Sequence, residues 1–154
     1  MGLKQTPKTP LLVAGRVERV ALPAWGIESL RAKVDTGARS SALHVDALRQ
    51  VSESEVEFEV VLSLHRRRRV RVRSPFLRIA RVRPTSGVSE SRYVVPVEIV
   101  LGPLRKSIEV TLAERGAMRF RMLLGRRALA GDFLVDPARP YLLSRASMRP
   151  PVQP

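Results

Sequence analysis

Cysteine is absent from the 154-residue sequence, which excludes disulfide cross-links, thiolate nucleophiles and cysteine-held metal clusters. Its absence accords with a reducing compartment, and a cytoplasmic location is the expectation. Histidine occurs only at His44 and His65, far apart and without a His-Glu-x-x-His segment. Zinc needs several such ligands, so no metal site is expected. No Gly-x-x-x-x-Gly-Lys-Ser/Thr segment occurs either, which leaves ATP binding without a visible basis, and no cofactor is expected. Aromatic residues are only 5% of the chain, so stacking platforms for single-stranded nucleic acid are scarce. No apolar run reaches the length of a bilayer-spanning helix, and the first ten residues lack the apolar middle of a secretory signal; no membrane partner is expected.

Acidic residues are also few, 14 against 28 lysines and arginines, for a formal charge of +14. A field of that sign favours an acidic partner, whether nucleic acid, an anionic surface or an acidic polypeptide, and says nothing about the fold. Hydrophobic residues at 44% and charged residues at 27% suit a folded domain with a real core. The proline-bearing ends, residues 1–10 and 145–154, read as flexible tails around a domain over residues 11–144.

Within that domain the pattern is of short strands. Leu11–Leu22 is rich in valine and leucine and ends at Pro23, Ile27–Val34 runs into Asp35-Thr36-Gly37, and Ser41–Val45 follows. Glu53, Glu55, Glu57 and Glu59 alternate with Val56, Phe58 and Val60, the period of a half-buried strand. Arg69, Arg71 and Arg73 alternate with Val70 and Val72 in the same way. A hairpin folded about Leu64 sets Glu59 against Arg69, Glu57 against Arg71 and Glu55 against Arg73, with the valines on the other face. Arg78–Arg83 and Tyr93–Val100 flank a polar tip at Pro84–Ser89. Ser107–Leu112, Met122–Leu124, one helical turn at Arg126–Ala130, Phe133–Val135 and Tyr141–Leu143 complete the chain. Many short strands with turns between them predict an all-β barrel or sandwich with at most one short helix.

The chemistry concentrates at Val34-Asp35-Thr36-Gly37-Ala38, where an apolar strand delivers a carboxylate into a tight turn. One carboxylate cannot act as general base and general acid on a peptide bond at once. Two close together can, because they share a proton. Asp46, Asp132 and Asp136 lie in other contexts, so a second copy of Asp35 has to come from a two-fold dimer if the chain is an enzyme of this kind.

The segment Ala32-Lys33-Val34-Asp35-Thr36-Gly37-Ala38-Arg39-Ser40-Ser41-Ala42-Leu43-His44 resembles the signature of the bacterial retropepsin-like aspartic peptidases often labelled "ATP-dependent zinc protease", whose genes are associated with an ATP-dependent glutamate ligase. A second block, Phe120 to Leu129 followed by Phe133-Leu134-Val135-Asp136-Pro137, resembles that family's closing segment. The likeness spans residues 11–143, and both blocks stand in the right order. It implies a closed β-barrel-like retropepsin (acid protease) protomer that acts as a homodimer on a polypeptide. Asp35 would be the catalytic carboxylate, in an active-site loop with Thr36, Gly37 and Ala38, and Thr36 would tie the two loops across the axis. Leu123, Leu124, Gly125 and Arg126 would support the loop, and Thr85, Ser86 and Gly87 would form a flap. The chain departs from viral retropepsins after the loop, with Arg39 and serines where they have acidic residues. That leaves open what Arg126 pairs with and how the substrate pocket is shaped.

Each of these segments also has a plainer reading. Asp-Thr-Gly is common in ordinary turns, Leu123–Arg126 can be a buried strand end, and Arg69, Arg71 and Arg73 can be a solvated face paired with glutamates. Arg78, Arg81, Arg83 and Arg92 near the flap remain as contacts for an acidic or polyglutamate-tailed substrate. Against peptide hydrolysis stand two competing functions: a basic nucleic-acid-binding module, and a partner-binding barrel without catalysis.

Overall fold

The computed structural model describes residues 10–63, 68–83, 87–114 and 120–144. Eleven strands lie among them: β1 (Leu12–Gly15), β2 (Val17–Leu22), β3 (Ile27–Val34), β4 (Ser41–Gln50), β5 (Glu55–Ser63), β6 (Arg68–Pro75), β7 (Arg78–Val82), β8 (Glu90–Leu101), β9 (Leu104–Ala113), β10 (Met122–Leu124) and β11 (Phe133–Asp136). Among the described residues the helical content is one four-residue helix, α1 (Arg126–Leu129), and a 3-10 turn at Pro23–Trp25. The fold is all-β, as the strand pattern predicts.

Six strands close on themselves in the order β10-β3-β2-β8-β9-β4. The closure depends on β10, which pairs parallel with β3 (Leu124↔Val34) and antiparallel with β4 (Met122↔Leu43). Three residues therefore seal the barrel at the place where β3 ends and β4 begins. Closure removes both free edges from these six strands. Inward positions carry Leu22, Leu30, Leu43, Ile99, Leu112 and Leu124, all at 2% exposure or less. Burying each such side chain contributes about 1.5–3 kcal/mol, which makes the barrel interior the main source of stability. Two extensions leave the barrel: β5 and β6 continue the sheet from β4, and β7 pairs with β8 alone. The Trp25 and Phe58 rings meet edge to face at 5.4 Å, joining the 3-10 turn to β5.

Three expectations about local structure are corrected. The β5–β6 ladder is offset by two residues from a hairpin about Leu64: Glu59 stands opposite Arg71, Glu57 opposite Arg73 and Val60 opposite Val70. A register shift lies between Val61 and Ser63. A slip of two preserves the faces, so Val56, Phe58, Val60 and Val72 are still the buried ones. Arg69 reaches Glu59 diagonally at 3.0 Å and Arg73 reaches Glu55 diagonally at 3.2 Å, Arg71 meets Glu59 straight across at 3.4 Å, and Glu57 takes Arg49 at 3.0 Å.

The expected strand over residues 11–22 is broken at Arg16. Its N–H donates to Arg139 O and its carbonyl accepts from Val34 N, so one half pairs with β11 and the other enters the barrel. Gly15 allows the crossing, since a Cβ there would lie 2.3 Å from Arg139 O.

Tyr141–Leu143 is not a strand. The N–H groups of Leu142, Leu143 and Ser144 all donate to the carboxylate of Glu18, which is fully buried in β2 and also takes Gly15 N–H and the Ser144 hydroxyl. Those donors are therefore unavailable to a sheet. Among the described residues no helix is long and apolar enough to cross a membrane.

Candidate active site

Residues 35–40 form the loop between β3 and β4, directly over β10. The backbone dictates its shape. Asp35 N–H donates to Leu124 O at 2.9 Å, Arg126 N–H to Ala38 O at 2.7 Å and Arg127 N–H to Arg39 O at 3.1 Å. The loop thus continues the β3–β10 ladder at one end and is held by the first turn of α1 at the other. Gly125 lies between these anchors. A Cβ there would meet Ser40 O at 2.5 Å and Ala38 O at 3.0 Å, so only glycine lets the two backbones approach this closely. Its N–H donates to the Ser41 hydroxyl at 3.0 Å.

Asp35 is half-buried at the start of this loop, while Thr36 and Gly37 are exposed. Its Oδ1 accepts the Gly37 N–H at 3.0 Å, the self-bracing turn that aspartate favours. Its Oδ2 accepts no hydrogen bond from the described residues. Arg126 supplies the remaining brace. In place of an acidic partner it finds main-chain oxygens, with Nη1 3.1 Å from Thr36 O and 3.0 Å from Gly37 O.

Beside the loop a groove of about 650 Å³ runs between β7, β8, β9 and α1. Arg39, Ser40 and Ser41 form its end nearest the loop, Val94, Pro96 and Ile108 line its apolar part, and Arg78, Arg81 and Arg127 bring cationic groups to it. Asp35 does not line it. The expected arginines therefore divide. Arg78 and Arg81 reach the groove, with Arg78 tied to Glu109 at 2.6 Å. Arg92 pairs with Glu90 and its side chain is 13% exposed, and Arg83 is exposed just past β7. Of the proposed flap, Thr85 and Ser86 lie outside the described residues. Gly87 is exposed, with a φ of +82° that favours glycine. The expected tip follows the β7–β8 pairing, in which Ile79 stands opposite Tyr93.

Arg39, Arg127 and Glu109 also line the groove, and the sequence reading did not assign them there. Arg39 stands out in the sequence as the departure after the Asp-Thr-Gly turn. Arg127 and Glu109 carry no local signal, because β9 and α1 meet only through the barrel.

His44, just past the loop in β4, is 2% exposed. Its pKa is lowered, first by burial and then by the Arg121 charge, against the opposing pull of Asp46 and Glu114. Nε2 lies 3.7 Å from Asp46 Oδ1, and the other oxygen of Asp46 takes Arg69 at 3.1 Å. A cation bound to that carboxylate is a poor setting for zinc, and among the described residues no three His, Asp or Glu side chains gather as a metal-ligand set. His65 lies outside the described residues.

A closed barrel with an Asp-Thr-Gly turn between two of its strands, and an apolar-apolar-glycine strand inserted beneath that turn, is a retropepsin-like protomer. The chain belongs to the RimB-like family, described as retropepsin-like aspartic endopeptidase RimB, which matches residues 13–146. It is 41% identical over 133 residues to a probable alpha-L-glutamate ligase of Parasynechococcus marenigrum, a match that covers 84% of this chain and 28% of that protein. A protein of the same name from Desulfotalea psychrophila is 36% identical over 139 residues, covering 88% of this chain and 30% of its own length. The chain thus spans less than a third of those curated relatives. Among solved structures, Lpg0085 of Legionella pneumophila, a protein of unknown function, superposes with a TM-score of 0.71 at 26% identity, over 85% of this chain and 97% of that one.

Proposed function

We propose that the chain is an aspartic endopeptidase whose catalytic dyad forms when two copies pair about a two-fold axis through the 35–40 loop, each contributing Asp35. The observation that carries this reading is the state of Asp35: half-buried, with Oδ1 taken by Gly37 N–H, Oδ2 without a hydrogen bond from the described residues, and its loop held from below by β10 and Arg126. Two such carboxylates a few ångströms apart share one proton. The ionised one takes a proton from a water molecule, which attacks the peptide carbonyl. The protonated one hydrogen-bonds the carbonyl oxygen and then passes its proton toward the leaving amine. Thr36, exposed beside Asp35, meets its mate across the axis, and the β7–β8 hairpin covers the cleft.

The substrate in this reading is an acidic polypeptide, with a polyglutamate tail as the extreme case. Two features support it: the basic groove beside the loop, and the occurrence of related segments within proteins named glutamate ligases. The absence of cysteine supports a cytoplasmic location.

The test is hydrolysis of a glutamate-tailed peptide and of a neutral unfolded protein by wild type and Asp35→Asn, across pH and with chelator, at concentrations where sedimentation shows a dimer. Cleavage that resists chelator and disappears in Asp35→Asn is expected. The +14 charge favours a second reading, a basic barrel that binds nucleic acid or a partner without catalysis. Salt-sensitive nucleic-acid binding, unchanged by Asp35→Asn and without any hydrolysis, would select it.

A further inference from the structure

Four arginines, Arg39, Arg78, Arg81 and Arg127, line the groove against a single acidic residue, Glu109. Glu109 sits on β9 opposite Pro96 of β8, and Arg78 sits on β7 opposite Val94 of β8. The 2.6 Å bond between Glu109 Oε2 and Arg78 Nη2 therefore passes over β8, where Val94 and Pro96 line the groove. The Arg127 charge reaches the same carboxylate. Both members of the bond are about half exposed, 48% for Arg78 and 46% for Glu109. An ion pair this open holds weakly and exchanges readily with an incoming carboxylate.

We propose that Glu109 is a built-in competitor that occupies the place a substrate carboxylate takes in the complex, and that Arg39, Arg78, Arg81 and Arg127 are the side chains that select an acidic chain. The proposal rests on the acidic-substrate reading above and extends it to a residue-level device. In the free protein Glu109 satisfies Arg78 and screens Arg127. On binding, a carboxylate of the substrate takes Arg78, a neighbouring one reaches Arg39 or Arg127, and the substrate's methylene stems lie on Val94, Pro96 and Ile108. An isolated carboxylate only replaces one anion by another, so the groove discriminates in favour of chains with several carboxylates in succession.

The experiment measures binding apart from catalysis. Fluorescein-labelled tetraglutamate and tetraglutamine are titrated by fluorescence anisotropy into the full chain carrying Asp35→Asn, with Glu109→Gln, Glu109→Ala, Arg39→Gln, Arg127→Gln or Arg71→Gln added. Arg71 lies on β6, away from the groove, and controls for the general field. Both Glu109 variants are expected to bind tetraglutamate about two- to fivefold more tightly, and the Arg39 and Arg127 variants about two- to fivefold more weakly. Tetraglutamine is expected to show neither change. Unchanged or weaker tetraglutamate binding in both Glu109 variants overturns the proposal, as does an Arg71→Gln loss equal to that of Arg127→Gln, or equal binding of the two peptides. Loss of the peptidase reading would show instead as hydrolysis that is absent or indifferent to Asp35, which leaves this binding readout intact.

Discussion

A single nitrogen of Arg126 bonds two consecutive carbonyls of the Asp35 loop, lying 3.1 Å from Thr36 O and 3.0 Å from Gly37 O. The side chain is exposed at the loop surface, so it contributes little to the core. Its effect is on the direction of the turn that presents Asp35. On the proposed function, Arg126→Gln is expected to lower turnover of a glutamate-tailed peptide by about one to two orders of magnitude, since small misplacements of a catalytic group are costly. The stability loss is expected to be only about 1 kcal/mol. Steady-state kinetics beside a urea titration checks this. A stability loss large enough to account for the lost turnover would assign Arg126 a purely structural role.

Gly125 is the tightest point under the loop. A methyl group there would overlap Ser40 O and Ser40 C, and both are backbone atoms that cannot rotate away. Gly125→Ala is expected to destabilise the protein by about 2 kcal/mol or more, because β10 must separate from the loop and the barrel closes through β10. Thermal unfolding by circular dichroism reads the loss.

Glu18 is expected to be among the most sensitive positions away from the loop. Its buried carboxylate receives five donors: three on Oε1 from Gly15, Leu142 and Leu143, and two on Oε2 from Ser144. Glu18→Ala strands these donors and is expected to cost about 3 kcal/mol or more. Glu18→Gln keeps one acceptor but turns an amide toward the Ser144 donors, and is expected to cost about 1–3 kcal/mol. Limited proteolysis following residues 141–144 should show that segment released before the barrel unfolds. Simultaneous loss of both would contradict the picture of a clamped terminal turn.

Acid stability should fall in two stages. Burial holds the folded-state pKa of His44 below its unfolded value of 6.5, so protonation favours the unfolded chain. The stability associated with neutral His44 is complete above 6.5 and declines as pH falls below it. Glu57, Glu59 and Glu109 are lowered as well, each chiefly by a hydrogen bond from an arginine. What they contribute is present above the ordinary carboxylate pKa and is lost only as pH falls through their lower folded values. Urea midpoints measured from pH 8 to pH 3 should show both stages in wild type. In His44→Gln the upper stage should disappear. Persistence of that stage would place the titrating group elsewhere.

The strand pattern was legible because burial on one face writes a period of two into the chain. Val56, Phe58 and Val60 are buried as that pattern required, and the slip of the β5–β6 ladder by two residues left their faces unchanged. What the pattern could not show was which donors a residue would lose to a distant acceptor. Tyr141–Leu143 looks like a strand, but the amides of Leu142 and Leu143 belong to Glu18 and that of Tyr141 to the Val17 carbonyl, all more than a hundred residues earlier. Glu18 itself looked like one more polar residue in a strand.

The sequence by itself determined the all-β class, the alternating faces and the Asp-Thr-Gly turn, because each is encoded within a few consecutive residues, while the supporting role of Leu123-Leu124-Gly125 was implied only by the likeness to the family. Tertiary structure alone decided what Arg126 bonds, which of Arg78, Arg81, Arg83 and Arg92 reach the groove, and that Glu109 stands among the groove's arginines. Those facts depend on barrel closure, which brings β3, β4 and β10 together at one end and lays β7, β8, β9 and α1 around one groove. Long-range pairing of this kind leaves no local period to read.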